Sequence, residues 1–220
     1  MKNSLLVFPF IFLCFLPNPL LGAPEPLLDV FHQEVVTGTQ YYIVSAHFQG
    51  GGLNLLSGRN EPCPMDVFQE RSNLGRPVSF LPLNYNEEVG STVVYDSTDM
   101  NIQFNIQNLN CEEETTVWKV DNLDDEKNAW FITTNGVAGN PRAVRNWFKF
   151  EKVPEDAENI YKIVHCPSVC ESCTVKLCSD VGIYSETERR LALGYSHLYL
   201  MLIKVQDVYK LRGRFINAIM

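Results

Sequence analysis

The sequence contains no N-x-S/T sequon and no G-x-S-x-G turn, and past its first residues it has no long apolar run. The first absence removes N-linked sugar, and the second removes the nucleophile turn of the common serine hydrolases. The apolar run near the C-terminus, LYLMLIKV, is eight residues, far short of the roughly 20 that a spanning helix needs. Histidine is scarce. Its four copies, His32, His47, His165 and His197, are each isolated in sequence, so none has a neighbouring partner for acid–base or metal chemistry. Positive charge is also in deficit: 18 Lys and Arg stand against 26 Asp and Glu, a net charge of −8. That balance disfavours nucleic acid and anionic membranes as partners. No enzyme activity, cofactor or metal is expected.

What the sequence does contain begins with an export signal. MKNSLLVFPFIFLCFLPNPLLGA has Lys2, an apolar run from Leu5 to Leu16, and small residues at Gly22 and Ala23, the pattern of a secretory leader. Pro9, Pro17 and Pro19 interrupt it, and Pro24 argues against cleavage after Ala23. Residues 1–22 are therefore read as a signal peptide, which leaves about 198 of the 220 residues, one large domain or two small ones. The destination is extracellular or vacuolar. Of seven cysteines, Cys14 leaves with the leader, so Cys63, Cys111, Cys166, Cys170, Cys173 and Cys178 remain. In an oxidising compartment these six can pair completely into three bridges. Cys170-Glu-Ser-Cys173 has redox spacing, but no βαβ pattern surrounds it, so it is read as a structural disulfide.

Helical periodicity is weak, and short β-like runs are frequent. They include YYIVSAHF (41–48), VSFLPL (78–83), STVVY (91–95), MNIQFNI (100–106), TTVWKV (115–120), AWFITT (129–134), WFKFEKV (147–153), YKIVHC (161–166) and VGIYS (181–185). Glycines 50–52, Asn60–Pro62, Gly136, Gly139–Pro141 and Pro154–Asp156 punctuate them. Many short strands between turn signals predict an all-β sandwich or barrel. Tyr42-Ile43-Val44, Trp118-Lys119-Val120 and Tyr161-Lys162-Ile163 hint at a repeated strand. The acidic runs Glu112–Glu114 and Asp124–Glu126 are read as solvated loops.

These residues resemble a known family. LLDVFHQEVVTGTQYYIV is similar to the opening signature of the soybean-type Kunitz trypsin inhibitors: an aliphatic residue, any residue, Asp, two more, Gly, then a Tyr-containing strand. EPCPMDVFQE, DMNIQFNI, TTVWKVD, NWFKFEKV, YKIVHCP and CSDVGIY…RRLAL resemble later family blocks in the same order. The likeness covers about residues 26–194 and is strongest to the miraculin-like plant proteins. It implies a β-trefoil of twelve strands in three pseudo-repeats, over residues 23–205. It also implies the pairings Cys63–Cys111, Cys166–Cys178 and Cys170–Cys173. The sequence departs from the family pattern in four places. His32 stands at the signature glycine. Thr37 aligns with an asparagine that supports the inhibitory loop from behind. The last cysteine pair is spaced by four residues rather than three. Residues 206–220 form an atypical, basic C-terminal extension, expected to be disordered or loosely docked.

The resemblance further implies a monomeric inhibitor of a secreted or digestive protease, in which a convex loop enters the protease cleft like a substrate. That loop maps to PLNYNEEV, with Pro82, Leu83, Asn84, Tyr85, Asn86 and Glu87 as its contact residues, Asn84–Tyr85 as the candidate scissile bond and Asn86 as the next possibility. No Arg or Lys occurs between Arg76 and Lys119. A trypsin-type pocket facing Asn84 would leave its buried acid unpaired, so weak or absent trypsin inhibition is expected. The alternative is a non-inhibitory binding, storage or defence protein on the same scaffold. A ricin-type sugar-binding trefoil would carry Q-x-W repeats, but Thr116, Asn128 and Arg145 stand two residues before the three tryptophans. Trp118, Trp130 and Trp147 are therefore read as core residues.

Overall fold

The computed structural model describes residues 23–211, apart from positions 48–49, 60, 84, 86–87, 89, 107–110, 112–114, 154–158, 174–176 and 197. The leader lies outside the described residues. Twelve strands follow one another: β1 (Tyr41–Ser45), β2 (Leu53–Leu56), β3 (Asp66–Gln69), β4 (Val78–Pro82), β5 (Met100–Phe104), β6 (Lys119–Asp124), β7 (Ala129–Thr133), β8 (Lys149–Lys152), β9 (Tyr161–His165), β10 (Ser179–Ile183), β11 (Leu191–Leu193) and β12 (Leu200–Lys204).

Six strands close a barrel. β1 pairs β4 and β12, β4 pairs β5, β8 pairs β9, and β9 pairs β12. The ring closes between β5 and β8, where Met100 and Phe148 exchange two backbone hydrogen bonds of 2.9 Å. The other six strands form the hairpins β2–β3, β6–β7 and β10–β11. These meet one another at Asp66↔Thr133, Phe131↔Ala192 and Phe68↔Arg190. A six-stranded barrel capped by three hairpins is a β-trefoil, and closure leaves few free sheet edges.

The strands form because alternation sends large apolar side chains inward. In β5, Ile102 and Phe104 are buried, as are Tyr41 and Ile43 in β1. A relay of rings crosses the barrel: Tyr41 to Phe80 at 5.8 Å, Phe80 to Phe150 at 5.4 Å, and Phe150 to Tyr161 at 6.2 Å. Each fully buried Phe contributes about 1.5–3 kcal/mol. Trp118 and Trp147 are fully buried, and Trp130 is partly buried against the core, which agrees with the core reading of all three.

The repeat hinted at in sequence is half right. Tyr42–Val44 and Tyr161–Ile163 open the first and third four-strand units, in β1 and β9. Trp118–Val120 instead enters the hairpin strand β6, and the equivalent strand of the second unit is β5. The acidic reading needs a similar correction. Asp124 is not a solvated loop residue: its side chain is 10% exposed and accepts from Arg59 Nε at 3.0 Å. Glu112–Glu114 lie outside the described residues.

Disulfides join Cys63 to Cys111, Cys166 to Cys178 and Cys170 to Cys173, at sequence separations of 48, 12 and 3. After β12 the chain makes a 3-10 turn at Val205–Asp207 and one helical turn over 208–211. Asp207 is buried and pairs with Lys210, whose ammonium sits 5.4 Å from the Phe31 ring. The start of the atypical tail thus docks on the barrel. Residues 212–220 lie outside the described residues.

Candidate functional site

The 82–92 segment joins two fixed points. Its first end is the last residue of β4, where Pro82 pairs Met100 of β5. Pro82 holds φ near −65° and so makes a stiff exit from the barrel. Its second end is Val93, which bridges Val36. Between them the chain leaves the barrel surface: Leu83 is 38% exposed, and Glu88 and Gly90 are also exposed. Gly90 adopts φ 84° with open space around it, a backbone geometry that favours glycine.

The N-terminal segment supports this loop from behind. It is itself pinned by two buried tyrosines. Leu28 N–H donates to the Tyr161 hydroxyl at 2.7 Å, and Val36 N–H donates to the Tyr41 hydroxyl at 3.1 Å. Burial raises both phenols above their ordinary pKa, so they stay neutral as hydroxyls. Thr37, wholly buried, then faces the loop. Its N–H donates to Thr92 C=O at 2.8 Å, and its Oγ1 accepts from Thr92 N–H at 2.9 Å. Ser91 Oγ donates to Thr37 C=O at 3.0 Å. Thr37 therefore holds the loop base, at the position aligned with the supporting asparagine. Its partners Ser91 and Thr92 were not singled out in sequence, where STVVY reads only as a strand.

Of the loop residues named from sequence, Pro82, Leu83 and Tyr85 are placed. Asn84, Asn86 and Glu87 lie outside the described residues. Tyr85 is half-buried, and its N–H donates to Pro82 C=O at 2.9 Å. A fully extended substrate-like strand would have no such bond.

The densest charge cluster lies elsewhere, on the outer face of the hairpin cap. Arg59 pairs Asp66 at 2.6 Å, Asp121 at 3.0 Å and Asp124 at 3.0 Å, and stacks 3.9 Å from the Phe131 ring. Arg190 also pairs Asp66. Burial pushes the Asp66 carboxyl up to about 6 against the pull of both guanidinium groups. Each charged group in the network has an oppositely charged partner, so it reads as a clamp holding β3, β6 and β11 together. Arg189 bonds Gln69 and Glu186, and it too serves the cap.

Comparison with known proteins agrees with this architecture. The legume Kunitz family model, described as trypsin and protease inhibitor, matches residues 27–204. Miraculin of Synsepalum dulcificum is 41% identical over 192 residues, covering 80% of this chain and 84% of that protein. Kunitz trypsin inhibitor 5 of Arabidopsis thaliana is 38% identical over 186 residues, covering 82% and 86% respectively. Among solved structures, the Kunitz-type cysteine protease inhibitor PCPI-3 from potato superposes with a TM-score of 0.69 at 33% identity. It covers 83% of this chain and 98% of that one.

Proposed function

From the premise that this chain belongs to the legume Kunitz family of trypsin and protease inhibitors, we propose that it inhibits an endopeptidase through the 82–89 loop. Members of this family are inhibitors rather than enzymes. The observation that carries the reading is the double anchoring of a segment with Leu83, Glu88 and Gly90 exposed: Pro82 is fixed to β5 at one end, and Ser91–Thr92 to buried Thr37 at the other. An anchored loop loses little entropy on docking. The same anchors would hold the two ends together after cleavage, so that religation competes with product release.

Relatives named for trypsin and for cysteine proteases share this scaffold. The protease class therefore follows from the loop residues rather than from the barrel. With Asn84 before the candidate scissile bond, the loop offers no cation to a trypsin pocket. Tyr85 entering the pocket in place of Asn84 would suit a protease of chymotrypsin type, with the cut then falling after Tyr85. Docking as an extended strand also requires the Tyr85 to Pro82 hydrogen bond to open, a cost of about 1 kcal/mol. The partner is a secreted or digestive protease, met in the extracellular space or vacuole, and the inhibitor acts as a monomer.

Cleavage mapping tests the proposal. Incubation with a trace of an inhibited protease should give a single nick whose new N-terminus is Tyr85, with both fragments retained in the fold. A first cut outside 82–89 would overturn the assignment of the loop.

A further inference from the structure

A second site lies on the side of the molecule, where β6 faces the turn that precedes β8. A groove of about 440 Å³ opens there, and Lys119, Arg142 and Arg145 line it. Three cations in one groove are unexpected in a chain of net charge −8. None of the three is paired with a carboxylate among the described residues. Arg145 Nη1 donates only to neutral oxygens, Asn122 Oδ1 at 2.7 Å and Asp121 C=O at 3.5 Å. The one acid at the rim, Asp121, has its carboxylate committed to Arg59.

The walls of the groove are built by buried polar groups rather than by a loose loop. Asn101, wholly buried, accepts from Gly139 N–H at 2.7 Å and donates to Asn146 C=O at 2.8 Å. Asn146 Nδ2 donates to Val137 C=O at 3.0 Å, and Trp147 Nε1 donates to Asn140 C=O at 3.0 Å. These bonds fix a turn that presents exposed Arg142. On the facing wall, a bulge between Val120 and Leu123 re-aims β6, a device common at binding sites.

The chemistry of the groove selects among anions. A compact phosphate is favoured by converging backbone N–H groups, and three of those in this turn are used internally. Arg142 N–H goes to Asn140 Oδ1, Ala143 N–H to Asn140 C=O, and Asn146 N–H to Ala143 C=O. An acidic peptide that added as a strand would need the outer edge of β6, which among the described strands pairs only β7. The bulge and the Arg145 contact to Asp121 C=O block that edge. What remains is a set of separated side-chain cations beside a surface amide, Asn122, suited to a ligand that alternates carboxylates with hydroxyls. We propose that this groove binds an acidic oligosaccharide of the uronic acid type, independently of the protease-binding loop.

The test uses oligogalacturonate as the probe, titrated calorimetrically into the oxidised, leader-free protein. Neutral oligogalactan, inorganic phosphate and oligoglutamate serve as comparison ligands. Binding should weaken as ionic strength rises. Arg142→Glu should weaken it at least about tenfold, while Lys204→Glu, the same charge change outside the groove, should leave it intact. Circular dichroism confirms that both variants are folded. The proposal is overturned by absence of oligogalacturonate binding, by an equal loss in both variants, or by tighter binding of phosphate or oligoglutamate.

Discussion

Thr37 and Thr92 clasp each other three times at the base of the 82–92 loop: the Thr37 N–H donates to the Thr92 carbonyl at 2.8 Å, the Thr92 N–H donates to Thr37 Oγ1 at 2.9 Å, and the two hydroxyls bond at 3.2 Å. The hydroxyl of one buried threonine thus does the bracing that the family resemblance implies for an asparagine side chain. Thr37→Ala removes the acceptor and strands a Thr92 N–H. Loss of such a bond costs about 1–2 kcal/mol, so urea unfolding should shift by that amount. Cleavage within 83–91 by a non-cognate protease should also accelerate. An unchanged midpoint together with unchanged cleavage would remove Thr37 from the account.

The missing cation is the second test. Asn84→Arg supplies the charge that a trypsin pocket requires. Inhibition of trypsin should tighten by at least about a thousandfold, or roughly 4 kcal/mol, with chymotrypsin inhibition weakened or unchanged. If the variant stays as poor a trypsin inhibitor as the parent, Asn84 does not precede the scissile bond.

Acid sensitivity should trace to His165. The ring is buried, and its Nδ1 lies 2.9 Å from Trp147 C=O. Burial holds its pKa below the ordinary 6.5, with the Trp147 bond opposing. A depressed folded value means that the unfolded chain takes up the proton first. Stability from this group is full above 6.5 and is lost as pH falls below it. Asp66 acts with the opposite sign. Its folded value, raised from 3.8 to about 6, gives a contribution that is present below 3.8 and is lost as pH rises through 6. His165→Gln should therefore flatten the fall in stability below pH 6.5, measured by denaturant titration at several pH values. A slope identical to that of the parent protein would contradict the assignment.

The disulfides should differ in worth by loop length. Cys63–Cys111 closes 48 residues and Cys166–Cys178 closes 12. The chain-entropy model gives about 4 and about 3 kcal/mol respectively. Replacing both cysteines of each pair by serine should rank the losses in that order in guanidinium unfolding. A larger loss from the shorter loop would show that local packing, not chain entropy, dominates.

Much of the barrel was legible because its strands alternate strongly. YYIVS, VSFLP, MNIQF and YKIVH carry large apolar residues two apart and form β1, β4, β5 and β9. The cap strands were harder. Leu53–Leu56, Asp66–Gln69 and Leu191–Leu193 are short, and what holds β3 and β11 in place is a charge clamp between distant residues, Asp66 with Arg59 and Arg190. Pairing across 124 positions leaves no local pattern. His32 marks another limit. It replaces the signature glycine yet keeps the left-handed geometry, with φ 58°, because Asp29 Oδ1 accepts from Phe31 N–H and Gln33 N–H on either side of it. The loop follows from the family blocks, whereas its brace at Ser91–Thr92 and the cationic groove arise only in the folded chain. Lys119 sits on β6 and Arg142 and Arg145 on the turn before β8, and only the fold brings the two elements to one groove.

The central claim is that residues 84–85 make this trefoil a protease inhibitor. The most direct measurement is a stoichiometric titration of the oxidised, leader-free protein against trypsin, chymotrypsin, elastase, subtilisin, papain and pepsin. It would be repeated with Asn84→Gly and Tyr85→Gly, each checked for folding by circular dichroism. The account predicts one-to-one inhibition of a non-tryptic protease that both substitutions abolish. Inhibition that survives both substitutions, or a folded protein that inhibits none of the six, would contradict it.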